Sequence, residues 1–407
     1  MRSRPIGITL ALALSLTAAT AAAQTTQPPQ TTPPPPQATQ PAQSTVDEQP
    51  SWIVRLREPD QAGGLHFSDH WAIVFGGIKQ GSGIALGPAW STRFGDGGFV
   101  QVKGVYSLRD FKQVQLRYDT RHFWNDRGIL ISRLRWQDAP ELKLYQSGID
   151  SPDRRIDYAE RKTEGSTLMV VKVTPRVRAT AGFGVERYRT GASNLPALYD
   201  PNLLTTLGSL GLSIAPPGLG AKPLFAHAVG SLGYDTRLSP DYTRSGQWFD
   251  GELHSYNDWR GNQDSFGRFE GNAEQYIPTH GGKGVIGLYG RTWLSLADNS
   301  ATVPFYLMPT LGGGNVLRAF PSYRFRDRHA LLLATDYRWA VHKMADVVLT
   351  YEAGKVASRV PDLSLDNMAH SIAIGIRAHT DKAALFRADL AHGREGWGFR
   401  IGFSAGG

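Results

Sequence analysis

The side chains best equipped for chemistry are crowded into one segment, Leu311 to Asp327. Arg318, Arg324 and Arg326 stand there among Phe320, Tyr323 and Phe325. A guanidinium presents a planar fork of donors that can grip a carboxylate at two points, so the chemistry on offer is fixed polar contact. Gly312, Gly313, Gly314 and Pro321 exclude a central strand. The segment reads as a long loop, and a loop this rich in arginine and aromatics is seldom idle surface. Composition alone would leave Arg318 as an ordinary exposed loop arginine.

Patterns for bond-breaking chemistry are missing. The chain has 11 His and many Ser, yet no G-x-S-x-G elbow and no comparable His-Ser motif. It has no H-E-x-x-H and no clustered His pair in sequence, so no metal site is expected. His122, His227 and His254 read as isolated rim or lumen residues. Gly76-Gly77 and Gly81-x-Gly83 match no phosphate loop, and no cofactor is implied. With no cysteine, disulfide scaffolds and thiolate-ligated clusters are excluded. The reading is of a protein without catalytic residues.

The elements that would position the loop are strands. Val100, Val102, Gly104 and Tyr106 alternate with Gln101, Lys103, Val105 and Ser107. Val114, Leu116 and Tyr118 alternate with Gln113, Gln115, Arg117 and Asp119, after a tight turn at Arg109-Asp110. The same period of two runs through 177–186, 372–377 and 386–390. A soluble β-sandwich would turn the apolar members inward, and a membrane barrel would turn them out to lipid around a wet lumen. Alternation alone does not choose. Mean hydropathy of −0.30 excludes neither, because a barrel needs only every second strand residue apolar.

Three features favour the barrel. Met1-Arg2-Ser3-Arg4, an apolar run from Ile6 to about Ala19 and Ala21-Ala22-Ala23 read as a cleaved secretory signal peptide, 1–23. Tyr118, Trp136, Tyr188, Trp293 and Trp339 fall near strand ends, where interfacial aromatics sit. The chain closes on Trp397, Phe399, Ile401 and Phe403, alternating with Gly398, Arg400 and Gly402, with Ser404 to Gly407 beyond. Residues 24–50, rich in Pro, Gln and Thr, read as a disordered linker. Residues 51–80 read as a lead-in, with Trp71 to Gly77 as an edge segment or plug, and 81–407 as the barrel. About sixteen strands are expected, five of them after the loop. Two long connections, Trp136 to Asp157 and Thr190 to Lys222, belong on the outer side. The net charge of +8 is spread along the strands, which fits a solvated lumen and an anionic lipopolysaccharide environment better than nucleic acid.

The loop also carries a resemblance. Leu317-Arg318-Ala319-Phe320, then Phe325-Arg326-Asp327, then Asp336-Tyr337-Arg338 and Tyr351-Glu352-Ala353-Gly354 resemble the sixth-loop signature of the bacterial surface-antigen superfamily, which includes BamA, TamA and the two-partner-secretion transporters. Ala319 replaces the family glycine, and Glu352 replaces the usual Asp. The resemblance implies an all-β fold, a transmembrane antiparallel barrel with this loop folded into the lumen. It implies that Arg318 points inward and meets a wall carboxylate. Glu352 fits, since Asp346, Val348, Thr350 and Glu352 share the polar face of their strand; Asp389 and Asp336 are the alternates. It implies that Trp397, Phe399, Ile401 and Phe403 form a C-terminal assembly signal. The family's transporters carry periplasmic polypeptide-transport-associated domains before the barrel, and residues 24–70 leave no room for one.

These readings give a Gram-negative outer-membrane protein that inserts or translocates proteins or lipids. Its expected partners are outer-membrane lipid, lipopolysaccharide and a separate periplasmic protein. A passive channel or surface structural antigen is the alternative, and a lipid-modifying barrel enzyme a more distant one.

Overall fold

The computed structural model describes residues 63–95, 97–125, 127–192, 216–237, 242–261, 264–297, 302–314, 316–380 and 384–403. The expected signal peptide, the linker, most of the lead-in, 193–215 of the second long connection and the tail after Phe403 lie outside the described residues.

The strands, in chain order, begin with β1 (Gly63–His66), β2 (Trp71–Gly76), β3 (Ala85–Phe94), β4 (Gly98–Ser107) and β5 (Lys112–Phe123). Next come β6 (Gly128–Tyr145), β7 (Arg155–Lys172), β8 (Val177–Ala192), β9 (Leu224–Asp235), β10 (Gly246–Asp258), β11 (Phe266–Thr279) and β12 (Gly284–Leu296). The short β13 (Thr310–Leu311) and β14 (Phe325–Arg326) precede β15 (His329–His342), β16 (Ala345–Ala357), β17 (Ala369–His379), β18 (Ala384–Gly393) and β19 (Gly396–Phe403). Apart from the β13–β14 pair, the strands form one antiparallel sheet of 17, a transmembrane β-barrel in which each strand pairs with the next along the chain.

The count departs from about sixteen for two reasons. The expected strands 156–163 and 166–174 are one, β7, because Gly165 does not end the strand: it sits opposite Leu134, where the missing Cβ leaves room for the leucine. The lead-in instead supplies the hairpin β1–β2. The connection expected over 136–157 shrinks to 146–154, since β6 runs on past Pro140 through an irregularity between Ala139 and Leu142. A bulge is a place where a strand tolerates the missing N–H of proline.

Burial answers the question that alternation left open. On β5, Gln113, Gln115, Arg117 and Asp119 are buried while Val114, Leu116 and Tyr118 are exposed. On β16, Thr350 and Glu352 are buried while Leu349 is 52% exposed. The polar faces line the interior and the apolar faces look out, the polarity of a lipid-facing barrel. Lumen charges are compensated within strands and between neighbouring ones. Arg117 meets Asp119 at 2.8 Å, Arg135 meets Glu164 at 2.7 Å, and Lys162 bridges Glu164 at 2.6 Å and Glu186 at 2.9 Å. The expected aromatic girdle is only partly outside: Tyr118, Trp136 and Trp339 lie on the outer face. Tyr188 instead turns inward, and its hydroxyl donates to Glu186 at 2.6 Å. Trp293 packs on the interior loop cluster. Aromatic type gave no signal of facing; strand parity did.

Connections at the two ends differ. One end carries 67–70, 95–97, 124–127, 173–176, 236–245, 280–283, 343–344 and 380–383; the other carries 77–84, 108–111, 146–154, 193–223, 259–265, 297–328, 358–368 and 394–395. The arginine-rich loop is thus the sixth connection at the end with the longer ones.

Candidate functional site: the lumen loop and its wall

A two-residue ladder holds the neck of the loop, with Thr310 opposite Arg326 and Leu311 opposite Phe325. Gly312, Gly313 and Gly314 follow with φ of 110°, 82° and 58°, a left-handed run open to glycine. At Gly313 a Cβ would also run into Gln80 and Ser322. These turns throw the chain back across the lumen. Leu317 takes the left-handed conformation at φ 52°. Ala319 is not among the residues with positive φ, so alanine stands there without backbone strain.

The tip lies against β16 to β19. The Arg318 backbone N–H donates to Glu352 Oε2 at 2.7 Å, and its Nη1 donates to Glu352 Oε1 at 2.7 Å. Of the two alternates, Asp389 Oδ2 lies 3.8 Å from Arg318 Nε and is itself held by Arg377 at 2.7 Å. Asp336 faces elsewhere, accepting from Tyr289 at 2.8 Å and from Arg338 at 3.1 Å. Burial works against the Arg318 charge, but Glu352 and then Asp389 more than offset it, so its pKa rises above the ordinary value. Ala319 N–H donates to Ser371 Oγ at 3.1 Å, and Arg400 Nη2 donates to the Phe320 carbonyl at 2.6 Å.

Three wall glycines make the seat. A Cβ at Gly354 would lie 2.9 Å from Leu311 Cδ1, one at Gly393 2.9 Å from Ala319 Cβ, and one at Gly398 2.8 Å from the Arg318 carbonyl oxygen. Leu311, Leu317, Phe320 and Phe325 are buried together with Ala330, Leu332 and Val356 of the wall. The Phe320 and Phe325 rings meet edge-on at 5.0 Å.

Arg324 and the triplet after it anchor the loop's return. Arg324 donates to Glu395 at 2.9 Å and, through its two terminal nitrogens, to the Ser151 hydroxyl at 2.9 Å and carbonyl at 2.6 Å. It also stacks over Phe325 at 4.7 Å. Arg326 lies 5.4 Å from the Phe305 ring centre. Asp327 accepts from the Arg328 N–H at 2.8 Å, and burial raises its pKa. Ser151, Ser371 and Glu395, which hold the loop, carried no sequence signal, whereas Gly354 stood in the loop signature and Gly398 and Arg400 in the alternation that closes the chain.

The last strand joins both surfaces. Trp397, Phe399 and Ile401 are 71%, 60% and 53% exposed, facing outward, while Gly398 and Arg400 between them touch the loop. Phe403 closes β19, and its side chain lies outside the described residues.

His227 and His254 are not isolated: they face the lumen from β9 and β10 and stack, with His227 Nε2 3.1 Å from His254 Nδ1. They meet because Tyr256 pairs with His227 and His254 with Val229 across the ladder, a diagonal that linear spacing hides. Glu186 lies 2.9 Å from His227 Nδ1. With Glu186 accepting as a carboxylate, a neutral His227 has its Nε2 free to accept from His254 Nδ1. The far nitrogen, His254 Nε2, then faces Glu252 at 3.2 Å and Glu270 at 3.9 Å. Glu252, His254 and Glu270 bring three ligand-type atoms within 4.8 Å of one another. This is also the group among the described residues that a divalent cation could share. His122 has no described side chain.

No protein-family model and no curated protein matches the chain. Solved structures do. BamA from Haemophilus ducreyi lacking POTRA domains 1–3 matches with a TM-score of 0.60 at 14% identity, over 84% of this chain and 70% of that one. CdiB from Escherichia coli matches at 0.52 and 11% identity, over 79% of this chain and 58% of that one. CdiB from Acinetobacter baumannii matches at 0.51 and 10%, over 79% and 56%. The chain therefore has the barrel fold of BamA and CdiB, and spans a little over half the length of the CdiB chains.

Proposed function

We propose that this protein is an outer-membrane barrel of the surface-antigen superfamily, exported by a cleaved signal peptide, that inserts or translocates proteins or lipids. The observation that carries the reading is the loop tip bonded to the inner wall through Arg318 and Glu352. A loop drawn across a wet lumen, its tip tied to the wall by a buried charge pair over the strands that end the barrel, is a part that can move. The polar interior, the BamA-like fold and the greasy outer face of β19 support the same reading. Trp397, Phe399, Ile401 and Phe403 serve as the assembly signal, and a separate periplasmic protein is the expected partner.

The test is a depletion strain. Loss of assembled barrels or surface lipid from the outer membrane, restored by the wild-type chain and not by Arg318→Ala, is the expected result. An unchanged membrane profile would overturn the assembly reading. In that case, ion conductance in planar bilayers would assign a passive channel.

A further inference from the structure

A cationic cleft lies on the outer face of the barrel, where charge is least expected. Trp136, Arg161, Thr163, Arg187 and Arg189 line a recess of about 230 Å³ on β6, β7 and β8. Arg161 is directly opposite Arg189 in the ladder, and Thr163 opposite Arg187. Trp136 is opposite Thr163 on the other side. All five are outward by strand parity, because Gln137, Glu160, Glu164, Glu186 and Thr190 between them are buried in the lumen.

The charge in this cleft is not balanced. Arg161 donates to Asp138 at 2.9 Å and lies 5.8 Å from the Trp136 ring centre. Among the described residues, Arg187 and Arg189 have no carboxylate partner. Like charges directly opposite on neighbouring strands destabilise a sheet, and an arginine on a lipid-facing wall costs up to about 2–4 kcal/mol at mid-membrane. An arrangement with two positive charges in excess needs an anion from outside the chain.

Its height on the wall says which anion. The outward residues of β8 run Val177, Ala179, Ala181, Phe183 and Val185 before Arg187 and Arg189. Eight steps at about 3.3 Å, tilted about 45°, rise about 20 Å, close to the apolar band of about 25 Å in such barrels. The arginines therefore begin where the apolar band ends, level with lipid headgroups, and Trp136 is an interfacial aromatic beside them. The band ends there toward the longer connections, which face outside in outer-membrane barrels.

We propose that this cleft binds the phosphorylated sugar headgroup of the outer-leaflet glycolipid, the lipid A part of lipopolysaccharide. Guanidinium forks grip phosphate oxygens at two points, Thr163 adds a hydroxyl donor, and Trp136 offers a ring edge to sugar and upper acyl chain. The site fixes one lipid against the wall on β6 to β8, away from the last strand. The proposal rests on the outer-membrane reading above.

Native mass spectrometry of the folded barrel in detergent tests it. The probes are lipid A with both phosphates, the same lipid A dephosphorylated, phosphatidylglycerol and inorganic phosphate. Expected is retention of one bisphosphorylated lipid A, at least tenfold preferred over the dephosphorylated form and lost in Arg187→Gln/Arg189→Gln. Arg359→Gln, which removes an exposed arginine from a connection at the same end, should bind normally, and a heat-dependent gel shift verifies that each variant is folded. Equal binding of phosphatidylglycerol, displacement by millimolar inorganic phosphate, or full binding by the double variant would each overturn the assignment. A barrel recovered without detergent from the soluble fraction would instead sink the outer-membrane reading.

Discussion

Arg318→Ala is the sharpest test of the lumen latch. The substitution removes the 2.7 Å side-chain bond to Glu352 Oε1 and leaves the backbone N–H bonded to Oε2. A hydrogen bond to a charged group contributes about 1.5–3 kcal/mol. Stranding a partner with almost no solvent access moves the cost to the upper end, and Glu352 is 1% exposed. About 3 kcal/mol multiplies the population of the released loop by about 150. The chain has no cysteine, so Ser322→Cys in the loop gives a single reporter for maleimide labelling of the folded barrel. The expected result is a rise in labelling rate of two orders of magnitude in Arg318→Ala and a smaller rise in Glu352→Gln, where Arg318 still has Asp389 nearby. The double variant should fall short of the sum by about 1–3 kcal/mol, since residues in contact couple. A labelling change under twofold, or strict additivity, would refute the latch.

Other outcomes follow from the same geometry. Gly398→Ala puts a Cβ 2.8 Å from the Arg318 carbonyl and should cost about 1–3 kcal/mol by overpacking, seen as a lower temperature for the heat-dependent gel shift. Leu349→Arg should destabilise the barrel by up to about 2–4 kcal/mol, measured by urea unfolding in liposomes; a neutral result would favour a solvated outer face. His254→Ala leaves Glu252 directly opposite Glu270 with the imidazole gone, and should cost about 3–5 kcal/mol in that same unfolding assay. Replacing Trp397, Phe399 and Ile401 together with Ser should cut the assembled fraction at the outer membrane, read as the ratio of folded to unfolded bands in membrane extracts.

Strand identity was legible because the period of two is set by the pleat itself. Facing was not, since the same alternation serves a sandwich and a barrel. Strand ends were the weakest point. Gly165 looked like a break, yet a glycine opposite a large cross-strand side chain is a packing device. Trp293 and Tyr188 looked interfacial, and parity turned both inward to the loop and to Glu186. Burial settles these cases because it measures what each face meets, a property shared by neighbouring strands and absent from any one of them.

The loop's seat shows the same division between what a chain states locally and what only assembly creates. Arg318 and Glu352 stand 34 positions apart. Their motifs marked both, because Glu352 shares strand parity with Thr350 and the loop's glycines forbid a strand. Ser151, Ser371, Glu395 and Arg400 reach the loop from four other places on the chain, and each is an unremarkable polar residue where it stands. The histidines obey the same logic. His227 and His254 are 27 residues apart, and only the register of β9 on β10 makes them a pair. A barrel wall gathers side chains by register and parity, so its functional contacts become readable once one strand pairing is known. Arg187 and Arg189 illustrate the converse. Each is tolerable alone near a membrane edge, and only their gathering in one cleft with Arg161, whose charge Asp138 already meets, creates a need for an anionic party from outside.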